Sequence, residues 1–122
     1  MTLDSGALIA LERGDGKLIA LLDLALKQGR RFRVPAGVLG QVWRNGQRQA
    51  VLARFLRAEE LSIVPLDEPL ARACGELCGN KGTSDVIDAS VVLTARGNDD
   101  IIVTADAADL RRLDHKSMLV EI

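Results

Sequence analysis

Short apolar runs alternate with longer stretches of helical periodicity along this chain. Residues 2–4, Phe32-Arg33-Val34, Leu61 to Leu66, Ile101 to Thr104 and Met118 to Ile122 have the length and side-chain content of short strands. Between them, apolar side chains recur every three or four positions, the spacing that lines one face of a helix. This predicts helices over residues 5–12, ending near Gly14-Asp15-Gly16, and over Lys17 to Lys27, ended by Gln28-Gly29. In the second, Leu18, Leu21, Leu22 and Leu24 to Leu26 form a wide apolar stripe. Pro35 is expected to open the next helix, where its missing N–H costs little. Val38, Leu39, Val42 and Trp43 give that helix its apolar face before Asn45-Gly46 breaks it. Gln47 to Ala58 follows, with Val51, Leu52, Phe55 and Leu56 inward. Asp67 caps a helix from about Pro69 to Cys78, and Gly79 to Gly82 forms a loop. Thr83 and Ser84 offer caps for a helix running to about Gly97, and 107–113 is a short last helix.

Strands that alternate with helices call for a parallel sheet covered on both faces. The expected fold is α/β: a single-domain, three-layer sandwich over residues 1–122 with a central, mostly parallel sheet and the last strand at an edge. A chain of 122 residues is long enough for one core and too short for two. Aromatic residues make up only 2%, so that core must be built from Leu, Val, Ile and Ala. No basic leader precedes the first apolar stretch and no apolar run is long enough to span a bilayer, so a cytoplasmic, membrane-free protein is expected. Cys74 and Cys78, one helical turn apart, read as small core residues. With His115 as the only histidine, the chain lacks the ligands for a zinc site.

The net charge of −1 hides an asymmetry. From Lys27 to Ala58 there is no acid, while that window holds eight basic residues: Lys27, Arg30, Arg31, Arg33, Arg44, Arg48, Arg54 and Arg57. The remainder carries all 17 acids. A basic block beside an acidic region suits a polyanion or an acidic partner, and equally a solvated Arg-rich helix face.

Three acids stand at informative places. Asp4 and Asp106 each lie where a strand gives way to a helix, at the carboxyl end of the sheet where α/β folds place their functional crevice. Each is also a natural helix cap, as are Asp85 and Asp109 in their first turns. Asp88 has no such explanation. It lies a turn further in, among Val86, Ile87, Val91 and Val92, and Asp is a poor residue for a helix interior. Asp85 and Asp88, three apart, share a face and repel. If folding gathers these carboxylates, a hard divalent cation is the natural counter-charge.

With their surroundings, these positions resemble a known family. Leu3-Asp4-Ser5-Gly6-Ala7-Leu8, Val34-Pro35-Ala36-Gly37-Val38-Leu39, Asp88-Ala89-Ser90-Val91-Val92-Leu93-Thr94-Ala95 and Val103-Thr104-Ala105-Asp106-Ala107-Ala108-Asp109-Leu110, in that order, resemble a PIN-domain ribonuclease of the VapC toxin type over nearly the whole chain. The resemblance implies a metal-dependent endoribonuclease that leaves a 5′-phosphate. Asp4, Asp88 and Asp106 would be the catalytic, metal-binding acids for Mg²⁺ or Mn²⁺, with Asp109 supporting and Asp85 a further neighbour. It also implies a cognate antitoxin that blocks the pocket, and a homodimer. One position departs from the pattern: the family's usual Glu in the helix after the second strand is Gln41 here. Gln41 offers a neutral oxygen and one less charge, which implies weaker metal binding or reliance on Asp85 or Asp109.

From the residues themselves, Thr104 and Ser5 are candidates to orient a water or a phosphate oxygen. Arg44 and Arg48 are candidates to hold a scissile phosphate, and Arg44 also to pair with a pocket acid. An aspartyl phosphatase would want a second Asp where Gly6 stands, a phospho-receiver pattern fits poorly, and no nucleotide-binding glycine loop is present. The rival reading is a degenerate PIN fold, disabled at Gln41, that binds RNA or protein without cutting.

Overall fold

The computed structural model describes residues 1–122. Its five strands are β1 (Thr2–Leu3), β2 (Phe32–Pro35), β3 (Leu61–Val64), β4 (Ile102–Thr104) and β5 (Leu119–Glu121). They form one sheet in the order β3-β2-β1-β4-β5, and every pairing is parallel. The expectation of a mostly parallel sheet is met and exceeded. The helices are α1 (Ser5–Glu12), α2 (Gly16–Lys27), α3 (Ala36–Val42), α4 (Ala50–Leu56), α5 (Glu68–Lys81), α6 (Val86–Asn98) and α7 (Ala107–Leu113). No helix is long and apolar enough to cross a membrane.

Packing divides the helices between the two faces. α1 contacts α2 and α4, and α5, α6 and α7 contact one another, while α3 touches both α1 and α6. The central strand β1 is flanked by β2 and β4, so its residues Thr2 and Leu3 are wholly buried. Phe32, Val34, Leu8, Leu18, Leu52, Val91, Val92 and Ile102 fill the interior on either side. Phe32 meets Phe55 with ring centroids 5.6 Å apart, fixing α4 over β2. Cys74 and Cys78 are buried, unbridged core residues, as their spacing suggested.

Several local expectations are corrected. Pro35 ends β2 and precedes α3 instead of opening it. Trp43 lies just past α3 and is exposed, and the next helix begins only at Ala50, leaving Val51 exposed rather than inward. Residues 79–81, expected in a loop, continue α5, because Gly82 rather than Gly79 takes the left-handed conformation that ends it. The third strand stops at Val64 because Pro65 cannot continue the ladder. On α2 only Leu18, Leu22 and Ala25 are buried; Ile19, Leu24 and Leu26 face outward, so the stripe is wider than the surface it covers.

The amino ends of the strands are tied by Asp100. Its carboxylate accepts from Thr2 Oγ1 at 2.9 Å and pairs with Arg33 Nη1 at 2.9 Å, joining the α6–β4 connection to β1 and β2. One member of the basic window is therefore a neutralised structural residue. Arg31, which donates to the Glu59 carbonyl, lies at this same end of the sheet. The basic block of the sequence is thus divided in space.

Candidate active site

The carboxyl ends of β1 and β4 are adjacent because Thr2 pairs with Ile102 and Leu3 with Val103. That register sets Asp4 opposite Thr104. The Thr104 hydroxyl donates to Asp4 Oδ2 and accepts from the Asp106 N–H at 2.9 Å. A single buried threonine thus links the two strand-end acids. Asp4 Oδ1 also accepts from the Ala7 N–H at 3.0 Å, so the carboxylate caps α1 while it faces the crevice. Asp4 is 7% exposed. Burial lifts its pKa above the ordinary range, opposed by the Thr104 and backbone hydrogen bonds, and the charge of Asp106 adds to the rise.

The third acid arrives on α6, which crosses beneath β1, β2 and β4. Its N-cap is Asp85, not Thr83 or Ser84: Asp85 Oδ1 accepts from the Asp88 N–H at 2.9 Å, and Thr83 instead supports the Asp85 N–H. With Asp85 as the cap, Asp88 is the third residue of α6 and lies in its first turn, not in the helix interior as its apolar neighbours suggested. It is half-buried, and its pKa is pushed up to about 7. Burial is the largest cause. The Asp85 charge and side chain follow, then the charges of Asp109 and Asp4. Cys78, beneath the same corner, is also held high, first by burial and then by Asp85 and Asp88. Asp85, Asp88 and Asp109 line a cleft of about 190 Å³ with Thr83, Arg112 and Leu113.

The five acids therefore share one electrostatic neighbourhood at the carboxyl edge of the sheet. Asp109 has an ion-pair partner, Arg112, at 3.7 Å; Asp4, Asp85, Asp88 and Asp106 have none. As placed, no three side chains converge tightly enough to hold a metal ion. The reason is local: Asp4, Asp85 and Asp106 each point an oxygen at the N–H three residues on, capping their own helices. The Asp106 cap is long, at 3.4 Å, and Asp106 is solvent-exposed, so this carboxylate is the freest to turn inward. The donor set suits a hard divalent cation, being carboxylate and hydroxyl oxygen with uncompensated negative charge.

The other sequence candidates are placed less centrally. Thr104, expected to orient a water or phosphate, is wholly buried with its proton committed to Asp4, so it positions the carboxylate. Ser5 opens α1 beside Asp4 and is half-buried. Gln41 is exposed on α3 and its amide makes no protein hydrogen bond. Arg44 pairs with no acid; its guanidinium folds back on the Gly40 and Trp43 carbonyls at 3.0 and 2.6 Å, at the C-terminus of α3. Arg48 lies with Glu12 and Gln49 in a small cleft at the far end of α1 from Asp4, about 12 Å away by the rise of an eight-residue helix. The cation that does line the acidic cleft, Arg112, was missed. Its signal in the sequence was the three-residue spacing from Asp109 on a helix opened by Asp106.

The PIN domain family model matches residues 1–116, nearly the whole chain and all of these acids. The chain belongs to the PIN-domain family. No curated protein matches this PIN domain in sequence. Among solved structures it is similar to VapBC2 from Rickettsia felis bound to a DNA fragment from their promoter, at TM-score 0.75 and 19% identity, covering 99% of this chain and 97% of that one. It is also similar to FitAcB from Neisseria gonorrhoeae, at TM-score 0.64 and 18% identity over 98% and 96% of the two chains. FitAB bound to an IR36 DNA fragment gives TM-score 0.68 and 14% identity over 99% and 94%. At these identities the likeness establishes a shared fold.

Proposed function

We propose that this PIN domain is a divalent-metal-dependent endoribonuclease and the toxin member of a toxin–antitoxin pair. The observation that carries the reading is the coupling of Asp4, Asp85, Asp88, Asp106 and Asp109 at one sheet edge, four of them without a cationic partner. PIN domains are typically nucleases that use divalent metal ions, and this concentration of unbalanced oxygen ligands is where such chemistry fits. Asp4, Asp88 and Asp106 are assigned as the residues that would hold Mg²⁺ or Mn²⁺, with Asp85 and Asp109 supporting. When bound, such an ion supplies a more acidic water and offsets charge on the phosphate.

The protein's own groups do the rest. Thr104 holds the Asp4 carboxylate facing the crevice. Asp88, whose carboxyl burial and its acid neighbours hold partly protonated near neutrality in the metal-free chain, would have to give up that proton to bind an ion. Arg112, at the cleft and only loosely paired, can meet a substrate phosphate. A protein partner is supported by the two-component VapBC2 and FitAB neighbours. It is supported too by an apolar cleft lined by Ala36, Leu39, Gly40, Trp43 and Leu56, on the acid-free segment that carries Arg44, Arg54 and Arg57. A homodimer and a cytoplasmic location complete the proposal. The exposed, unpartnered Gln41 favours a second reading, a PIN fold that binds RNA without cutting it.

Structured RNA incubated with purified protein in Mn²⁺, Mg²⁺ or EDTA, beside Asp4→Asn, separates the two. The nuclease reading expects cleavage that requires metal and is lost in the variant. Cleavage surviving EDTA or Asp4→Asn would assign the activity to a contaminant. RNA retention without cleavage in any metal would establish the binding module.

A further inference from the structure

We infer that Gly6 is a positioning residue for the acidic site, acting as the spacer that lets the Asp4 turn close against the Asp106 turn; this rests on the site assigned above. A Cβ added to Gly6 would lie 2.6 Å from the Ala105 Cβ and 3.1 Å from the Ala105 nitrogen. Side-chain carbons do not approach that closely, and neither neighbour can swing away, since one is a Cβ fixed to the main chain and the other is main chain. Ala105 immediately precedes Asp106. Gly6 stands two residues after Asp4, and its backbone N–H also supports the Asp4 carboxylate. The same few atoms therefore set how near the β1–α1 turn comes to the β4–α7 turn. The chain from the Asp106 N–H through Thr104 to Asp4 spans that gap and depends on its width.

The helix alone argues for the opposite residue. Gly6 lies in the first turn of α1, where alanine is the better helix former. Without the close approach, Gly6→Ala should be neutral or stabilising, so the sign of its effect is diagnostic. Gly37 provides an internal comparison. A Cβ there would collide with Ile87, but the atom met is Cδ1, the far end of a side chain that can rotate, and Ile87 immediately precedes Asp88. Two glycines thus face residues adjacent to candidate ligands, and only the contact at Gly6 is rigid.

The test uses the full chain as wild type, Gly6→Ala, Gly37→Ala, Ala105→Gly and the Gly6→Ala/Ala105→Gly double variant. Mn²⁺ affinity is measured by titration well below each melting temperature, and amide hydrogen exchange is followed at Asp106. Gly6→Ala is expected to weaken Mn²⁺ binding roughly ten- to hundredfold, the range for residues that orient metal ligands. It should also speed exchange at the Asp106 amide at least tenfold. Both effects should be partly reversed by Ala105→Gly, which removes the 2.6 Å contact and leaves the 3.1 Å one, and should exceed those of Gly37→Ala. Wild-type affinity and exchange in Gly6→Ala would overturn the inference, as would a lower melting temperature with neither changed, which marks a merely structural role. If wild type itself ignores Mn²⁺, the metal reading fails, while exchange at Asp106 still decides the role of Gly6.

Discussion

Replacing Asp88 by asparagine should stabilise the metal-free protein, and the size of the gain should depend on pH. Asp88 is half-buried beside Asp85, and its pKa in the folded chain is about 7 against an ordinary carboxylate value of 3.8. Well below pH 3.8 the side chain is protonated both folded and unfolded and contributes no difference. As pH rises from 4 to 7, the unfolded chain gives up this proton while the folded chain keeps it, so stability falls across that window and levels off above it. The nominal cost of ionising Asp88 in place is roughly 4 kcal/mol at 1.36 kcal/mol per tenfold change. The side chain is only half-buried, and water screens its neighbours, so on the order of 1–2 kcal/mol is the realistic penalty. Asparagine keeps the shape, carries no charge, and its amide can donate to Asp85.

Thermal unfolding in EDTA at pH 4, 5.5 and 7.5 measures this directly. For a chain of this size the gain corresponds to about 4–8 °C at pH 7.5, shrinking to about a tenth of that at pH 4. Adding Mn²⁺ should reverse the order. A ligand at a hundred times its dissociation constant stabilises the form that binds it by about 2.7 kcal/mol, and Asp88→Asn should capture much less of this. A variant no more stable than wild type at pH 7.5, or equally stabilised at pH 4, would refute the crowding of charge on Asp88. Identical responses to Mn²⁺ would remove Asp88 from the ligand set.

Thr104→Val preserves shape but deletes the proton that Asp4 accepts, leaving a buried carboxylate underpaired; it should lower stability by about 1–3 kcal/mol in denaturant titrations and reduce cleavage. Asp100→Ala strands Arg33 and Thr2 at the opposite end of the sheet and should cost about 2–4 kcal/mol while leaving Mn²⁺ affinity intact in titrations on folded protein. Phe32→Ala empties the wholly buried position that packs on Phe55 and should cost about 3–5 kcal/mol by chemical unfolding, again with no change in metal response.

What the sequence disclosed divides along physical lines. Apolar periodicity and strand-like runs determine which segments bury, and they led to all five strands and seven helices. The ends of elements were less legible where two signals compete. Gly79 and Gly82 both advertise a helix stop, and only the backbone decides that Gly82 is the one in the left-handed region. Trp43 and Val51 are apolar but end up exposed, because periodicity reports which face is apolar and not whether another surface arrives to cover it. The division of the arginines was invisible for the same reason. Arg33 and Arg44 are eleven residues apart in an acid-free window, yet one pairs with Asp100 across the sheet and the other folds back on its own helix.

The acids show why their gathering at one edge was more legible here than their side-chain geometry. Asp4, Asp85 and Asp106 obey a local rule, each capping a helix. A fold that begins helices at neighbouring strand ends must then gather its caps. Caps are normally dispersed, and their charges are offset by separate helix dipoles. Here parallel pairing of β1 with β4 and the passage of α6 beneath them bring these caps to one edge, and Asp88 adds a charge that caps nothing. Each local choice is favourable and the sum is not: burial first, and neighbouring acids after it, raise the pKa of both Asp4 and Asp88. A neutral residue at Asp88 would relieve that conflict at the loss of a first-turn charge on the helix dipole, about 0.3–1 kcal/mol and less than the penalty argued above. Retaining a carboxylate there is intelligible if the repulsion is relieved by a cation during function. An ion bound at this edge would compete with the N–H groups that Asp4, Asp85 and Asp106 now cap, and Asp106, with the longest cap, would be the first to yield.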